Sequence, residues 1–83
     1  MYEGWHVEFT DHAQRRMLER SVEEDAVLAT VHEPDAVSSN SVHGGRLLTR
    51  YFPDWDRILV VSIEEREPDG IVLIKTALWS RAK

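Results

Sequence analysis

The sequence predicts an α+β domain in which two N-terminal helices pack on one face of a twisted antiparallel sheet of three to four strands. Ser21 and Glu24 have the spacing of a helix-capping box, and Pro34 ends the helical pattern that follows them. Three apolar segments then alternate with the turn-forming sequences PDWD and EPDG. Connections as short as these join antiparallel strands, because parallel neighbours require a crossover of about a dozen residues or more.

The length and composition are typical of one small folded domain spanning residues 1–83. A chain of 83 residues has room for one thin core, and its hydrophobic fraction of 42% is that of a globular protein. The absence of cysteine excludes disulfides and thiolate metal sites. No apolar run approaches the roughly 20 residues that span a bilayer, and the first residues lack the pattern of a signal peptide. We therefore expect a cytoplasmic protein that does not associate with membranes.

The charge balance opposes general attraction to nucleic acid but permits a local basic patch. The 10 basic and 15 acidic residues give a formal net charge of −5, which repels phosphate polymers. Most of the arginines lie in the first two thirds of the chain, whereas acidic residues are concentrated at positions 23–25 and 64–69. This uneven distribution is compatible with one basic face on an acidic protein.

Two consecutive helices are predicted near the start of the chain. The segment WHVEF alternates apolar and polar residues and fits either a short strand or an extended lead-in. Thr10 or Asp11 can cap a first helix that ends near Arg20, with Ala13 and Met17 on one apolar stripe. The second helix follows directly from the capping box and continues as far as the proline.

The remaining sequence predicts strands. A small, polar segment ending in Gly44-Gly45 indicates a short strand and a turn, and three longer strands follow in RLLTRYF, RILVVSIEE and IVLIKTALW. In the middle one, residues 59, 61 and 63 point to one face and residues 58, 60 and 62 to the other, and both sets are largely apolar. The helices can cover one face, which leaves the second as a groove, a dimer contact or residual apolar surface.

The spacing of His12, Arg16 and Arg20 is the most informative pattern in the first helix. Residues four apart lie on one side of a helix, so these side chains form a ladder. The helix dipole disfavours a protonated imidazole in the first turn, so a neutral His12 ring can accept a proton beside a phosphate held by the arginines. The alternative interpretation is structural: both arginines pair with nearby glutamates, and the histidine helps to cap the helix.

Further cations and aromatic residues lie on the predicted strands. Arg46 and Arg50 share one face of their strand, and Lys75 lies in the middle of the last strand. These cations either mark solvent-exposed edges or line a concave sheet face opposite the helical ladder. Three aromatic residues offer stacking surfaces for bases, with core anchoring as the alternative: Tyr51, Trp55 and Trp79.

We expect neither a metal nor another cofactor. The four histidines, His6, His12, His32 and His43, do not have the spacing of metal ligands. The sequence also lacks a glycine-rich phosphate loop and a nucleophile elbow.

The chain resembles a family of small bacterial domains called domain of unknown function 4258. The resemblance rests on the run FTDHAQRRMLERSVEEDAVLATVHEPD and on the later segments GGR, ILVVSIEE and IVLIKTALW. Ser21 occupies a position where the family more often has glycine. The signature positions are Phe9, Asp11, His12, Ala13, Arg16, Met17, Glu19, Arg20 and the segment Glu33-Pro34-Asp35.

That family is similar to the helix-then-sheet toxin nucleases grouped around RelE and the colicin ribonucleases. The resemblance implies a toxin-like, metal-independent ribonuclease, with RNA and a cognate inhibitor protein as partners. Such a reaction needs a base, an acid and cations that stabilise the phosphorane. The candidate catalytic residues are His12, Arg16, Arg20 and Lys75, and the candidate RNA-binding residues are Arg46 and Arg50. The alternative hypothesis is a non-catalytic protein-binding module, including a homodimer, that presents its sheet edge or apolar face to a partner.

Overall fold

Two helices pack on one face of a five-stranded mixed sheet. The computed structural model describes residues 1–39 and 44–81. The α+β class and the presence of two helices are confirmed, although a strand precedes both helices in the chain. The elements are β1 (His6–Phe9), α1 (Asp11–Glu19), α2 (Glu24–His32), β2 (Ala36–Ser39), β3 (Arg46–Phe52), β4 (Arg57–Arg66) and β5 (Ile71–Arg81), and the strand order is β1-β5-β4-β3-β2.

The sheet is not purely antiparallel, and it has one strand more than the largest number predicted. The ambiguous segment WHVEF contributes β1, which pairs parallel to β5 from His6 opposite Ile71 to Phe9 opposite Ile74. The rule that short connections join antiparallel strands does hold for β3, β4 and β5. It does not apply to β1, because the rest of the chain lies between β1 and its partner.

Helix α1 is capped at both ends by local hydrogen bonds. The backbone N–H of Ala13 donates to the Thr10 hydroxyl over 2.9 Å, which satisfies one of the free amides of the first turn. At the other end Val22 N–H donates to the Met17 carbonyl over 2.8 Å, and Ser21 N–H donates to that of Leu18 over 3.4 Å. This is a Schellman ending, in which the residue after the cap adopts a left-handed conformation.

The capping box predicted at Ser21 and Glu24 is therefore wrong. Ser21 has a φ of 55° and terminates α1 instead of beginning α2. The N-cap of α2 is Glu23, whose side chain makes no capping hydrogen bond. A serine three residues before a glutamate fits either role by sequence, but the left-handed backbone of Ser21 belongs to the end of α1, and α2 begins after Glu23.

The core lies between the helices and the face of the sheet that they cover, which we call the inner face. Leu59, Val61 and Ile63 of β4 point inward and are fully buried, as the alternation of the strand predicts. They pack with the buried α1 and α2 side chains Ala13, Met17, Ala26, Val27, Thr30 and Val31. Residues 58, 60 and 62 point to the opposite, outer face.

Gly45 lets β3 approach β4 closely. Its φ is 76°, and a Cβ at this position would overlap the backbone carbonyl oxygen of Ile63. Glycine is needed here both for its conformation and for its lack of a side chain. The predicted Gly44-Gly45 turn also involves residues 40–43, which lie outside the described residues, as does His43.

Neither helix in the described part of the chain has the length and apolar character needed to cross a membrane.

Candidate functional site

A groove with two tryptophans lies where the helices stop covering the inner face. Pairing across the sheet places Phe52, Arg57 and Arg81 in one row beyond the helices, next to the row that contains Trp79. We call the cavity at this end the tryptophan groove; its volume is about 320 Å³, and it is lined by Ser21, Glu23, Ala26, Trp55, Arg57 and Trp79. Adjoining depressions extend it to Arg20 and Leu78 on one side and to Asp56, Ser80 and Arg81 on another.

Two aromatic rings, those of Trp55 and Trp79, line the groove, and Phe52 packs against both of them. Trp79 packs edge-on against Phe52, with ring centroids 5.6 Å apart, and against Trp55, at 5.5 Å. Trp55 retains 53% of its accessible surface. This tryptophan therefore presents a largely open indole on which a planar ligand can stack, while the other two rings hold it in place.

The turn between β3 and β4 positions Trp55. The Trp55 N–H donates to the Phe52 carbonyl over 3.2 Å, and Asp56 completes the turn with a φ of 51°. The Tyr51 hydroxyl donates to the Asp56 carboxylate over 2.7 Å, and this hydrogen bond raises the pKa of the tyrosine above its ordinary value. The carboxylate of Asp56, the residue before Arg57, is thus hydrogen-bonded to Tyr51.

Three arginines surround the groove without a carboxylate partner among the described residues. Arg57 and Arg81 face each other across β4 and β5, and neither forms an ion pair or hydrogen bond with a described side chain. Arg20 donates to the Thr76 hydroxyl over 3.3 Å and to the Ala77 carbonyl over 3.1 Å. The groove is therefore a basic patch on a protein whose formal net charge is −5.

The predicted ladder on α1 is divided among different surroundings. His12 is exposed in the first turn and makes no hydrogen bond or ion pair with a described residue. Arg16 pairs with Glu19 over 3.1 Å, as the structural interpretation proposed. Arg20 reaches the sheet, about 12 Å along the helix axis from His12 at 1.5 Å per residue. Of the three, Arg20 is the one that lines a depression adjoining the groove.

Lys75 lies at an irregularity of β5 and is partly buried. Ser62 pairs with Thr76 and Ile63 with Ile74, so Lys75 is an extra residue in the ladder. This bulge changes which residues of β5 face inward. Lys75 does not line the groove or its adjoining depressions, and its catalytic role remains a prediction, as do those of His12 and Arg16.

Arg46 and Arg50 share the inner face, as their spacing predicts, but lie at different ends of it. Arg50 donates to the Glu33 carbonyl over 2.9 Å and pairs with the Glu33 carboxylate at 3.5 Å, so it caps the end of α2. Its guanidinium also lies over the Phe52 ring, 5.6 Å from the centroid. Arg46 pairs with Glu65 at 3.2 Å, far from the groove. RNA binding by either residue remains a prediction.

Sequence reasoning did not select Arg57, Arg81 and Glu23, although each borders the groove. Arg57 and Arg81 stand at the first and last positions of strands that pair with each other. The hairpin register brings these two ends together, but that register includes the extra residue Lys75, which neither the EPDG turn nor the alternation within one strand indicates. Glu23 belongs to the acidic segment at positions 23–25, and that composition gives no sign of a place in the groove.

The family model described as "Domain of unknown function (DUF4258)" matches residues 9–79. The chain belongs to this family. The resemblance noted from the sequence is thereby confirmed, whereas none of the comparisons tests the more distant likeness to RelE. Searches of curated proteins and of solved structures found no match.

Several signature positions of the DUF4258 chain have structural roles. Ala13 and Met17 are buried in the core. The Asp35 carboxylate accepts the backbone N–H of Tyr51 over 2.7 Å, which helps to align β2 with β3. His12 differs from these positions, because it has no such contact with the described chain.

No group of three or more potential metal-ligating side chains is found within residues 1–39 and 44–81.

Proposed function

We propose that this DUF4258 domain binds single-stranded RNA in the tryptophan groove and cleaves it without a metal, as a toxin-like ribonuclease of the RelE and colicin type. The observation that carries the proposal is the grouping of Arg20, Arg57 and Arg81 around an exposed tryptophan. Arginines without carboxylate partners are available to phosphates, and an open indole is available to a base. An acidic protein that concentrates such groups in one groove can bind nucleic acid locally.

The binding part of the proposal rests on stacking and charge. Stacking of a base on an aromatic side chain contributes roughly 1–3 kcal/mol. Trp55 supplies such a surface at the mouth of the groove, and Arg57 and Arg81 lie beside it. The groove has room for one base and a few phosphates, so affinity is modest and strongly dependent on salt.

The chemical part is an internal transesterification. The ribose 2′-oxygen attacks the adjacent phosphorus as the 2′-hydroxyl proton leaves for a base, and the bond to the 5′-oxygen breaks as that oxygen takes up a proton from solvent water. The products are a 2′,3′-cyclic phosphate and a 5′-hydroxyl end. Cations that hold the extra negative charge of the phosphorane lower the barrier, and we assign this role to Arg57 and Arg20.

We assign the base to Glu23, the carboxylate that lines the same cavity as Arg57. The sequence pattern instead assigned it to His12, which lies outside the groove. Glu23 can accept the proton of the 2′-hydroxyl only if the scissile phosphate lies on Arg57. The two assignments make opposite predictions for single substitutions.

The test is cleavage of a short fluorescein-labelled single-stranded RNA in the presence of EDTA. We expect activity in the wild type, a loss of at least 100-fold in kcat for Glu23→Gln, and little change for His12→Ala. A large loss for His12→Ala with full activity in Glu23→Gln would return the base role to His12. Binding without cleavage in the wild type would leave an RNA-binding domain and contradict the enzymatic part.

The second candidate function is the non-catalytic protein-binding module. It is favoured by the outer face of the sheet, where both helices are absent and Leu78 and Tyr51 remain 37% and 41% exposed. In this function the partner is a second copy of the chain, and sedimentation at several protein concentrations measures whether the chain self-associates. A monomer at high concentration that still binds RNA would favour the ribonuclease.

A further inference from the structure

On the edge of β5 that faces away from β4, only the first part is paired with another strand. The opposite edge is paired with β4 along its whole length, but β1 pairs with β5 only from Ile71 to Ile74. From Ala77 to Arg81, no other described strand lies beside β5 on that side. An unpaired strand edge of this kind is a template for a further strand.

The hydrogen bonds identify the backbone groups that face this open edge. On the β1 side, the Ile74 carbonyl accepts the Thr10 N–H over 3.1 Å, and the Ala77 carbonyl accepts the Arg20 guanidinium over 3.1 Å. The backbone groups that face this edge belong to even-numbered residues up to Ile74 and to odd-numbered residues from Ala77, because Lys75 is an extra residue in the ladder. Backbone groups that point to one side of a strand recur at every second residue, so those of Trp79 and Arg81 also face the open edge.

The two sides of this edge differ in chemistry. On the inner side it adjoins the tryptophan groove with Arg20, Arg57 and Arg81. On the outer side it adjoins Leu78, which is 37% exposed. A second copy docked edge to edge would bring each cluster of arginines against its equivalent, which opposes self-association here.

We propose that the edge of β5 from Ala77 to Arg81 binds an extended acidic segment of a partner protein as an added strand. Acidic side chains of that segment lie on the inner side beside the arginines, and the alternate apolar side chains lie on the outer side beside Leu78. Main-chain bonds to Trp79 and Arg81 set the register. Where the proposed ribonuclease function holds, the same segment occupies the arginines that bind RNA and acts as an inhibitor.

The probe is a capped nine-residue peptide in which glutamate alternates with valine, titrated into the full chain labelled with 15N. We expect the amide signals of residues 77–81 to shift, and the amide hydrogens of Trp79 and Arg81 to exchange at least tenfold more slowly when the peptide is bound. Arg81→Ala should weaken binding roughly two- to fivefold, as expected for one exposed charge pair. Arg15→Ala, which removes an exposed arginine from α1, should leave binding unchanged.

Two matched peptides separate backbone pairing from charge. Replacing every glutamate by lysine should abolish binding, because the groove is basic. Methylating alternate backbone nitrogens keeps the charges but removes the donors on one edge, and we expect at least a tenfold loss. Equal binding by the methylated peptide, or shifts confined to the outer face, would overturn strand addition.

The peptide titration contains no RNA, so its result is independent of the proposed function. Peptide binding without RNA binding would contradict the ribonuclease and leave the edge site standing. RNA binding without any shift at residues 77–81 on addition of millimolar peptide would contradict the edge site and leave RNA binding standing. Slow exchange of Trp79 that depends on protein concentration would identify a second copy as the occupant and refute the acidic partner.

Discussion

Ser21→Gly should stabilise the protein, because the residue that ends α1 has a left-handed backbone. A non-glycine residue at a φ of 55° is strained by roughly 1–2 kcal/mol relative to ordinary helical geometry. Glycine removes that strain but loses about 0.5–1 kcal/mol through its greater freedom in the unfolded chain. The serine hydroxyl makes no hydrogen bond with the described chain, so no contact is lost.

The expected net gain in the free energy of unfolding is about 0.75 kcal/mol, the difference between the midpoints of these two ranges. For a domain of this size, that corresponds to a rise in Tm of roughly 3–6 °C. Thermal unfolding followed by circular dichroism measures it. Ser21→Ala is the matched control, since it removes the hydroxyl but keeps the Cβ, and it should give no gain. A Tm for Ser21→Gly at or below that of the wild type would refute the assignment of a Schellman ending.

Two further predictions concern stability. Gly45→Ala should lower the free energy of unfolding in urea by roughly 2–4 kcal/mol, because the new Cβ meets the Ile63 carbonyl. Gly44→Ala is the control, since Gly44 has the same φ of 76° but open space around it, and it should cost only about 1 kcal/mol. Equal losses for the two variants would exclude the overlap. Burial and a 2.5 Å hydrogen bond to Glu65 raise the pKa of Tyr2, so the native state keeps a proton that the unfolded chain releases. Stability should therefore fall as pH rises above about 10, and Tyr2→Phe should make that fall shallower; an unchanged slope would contradict it.

The parts of the fold that sequence predicted are those set by local chemistry. Pro34 ends α2, and the PDWD and EPDG turns separate β3, β4 and β5 where expected. The role of Ser21 was missed because a serine before a glutamate satisfies both a helix start and a helix end. The parallel pairing of β1 was missed because it depends on contacts between distant segments.

In the candidate site too, features set by local spacing could be predicted, and contacts between distant segments could not. The ladder on α1 could be predicted because helical spacing is local, and Arg20 does line a depression adjoining the groove. Arg57 and Trp79 become neighbours only after the β4–β5 hairpin forms with its extra residue at Lys75. Periodicity within one segment carries no information about that register.

RNA binding by the tryptophan groove should make the affinity depend on salt in proportion to the number of phosphates engaged. For single strands, the slope of the logarithm of the binding constant against that of salt concentration is roughly −0.7 for each phosphate engaged. Three arginines predict a slope of about −2 for a short single-stranded RNA measured by fluorescence anisotropy.

The decisive comparison is Arg57→Gln with Arg15→Gln, which removes an exposed arginine outside the groove. Arg57→Gln should weaken binding and reduce the slope to about −1.4, while Arg15→Gln should leave both affinity and slope unchanged. Equal effects of the two substitutions, or a wild-type protein that binds no RNA at low salt, would contradict RNA binding in the tryptophan groove.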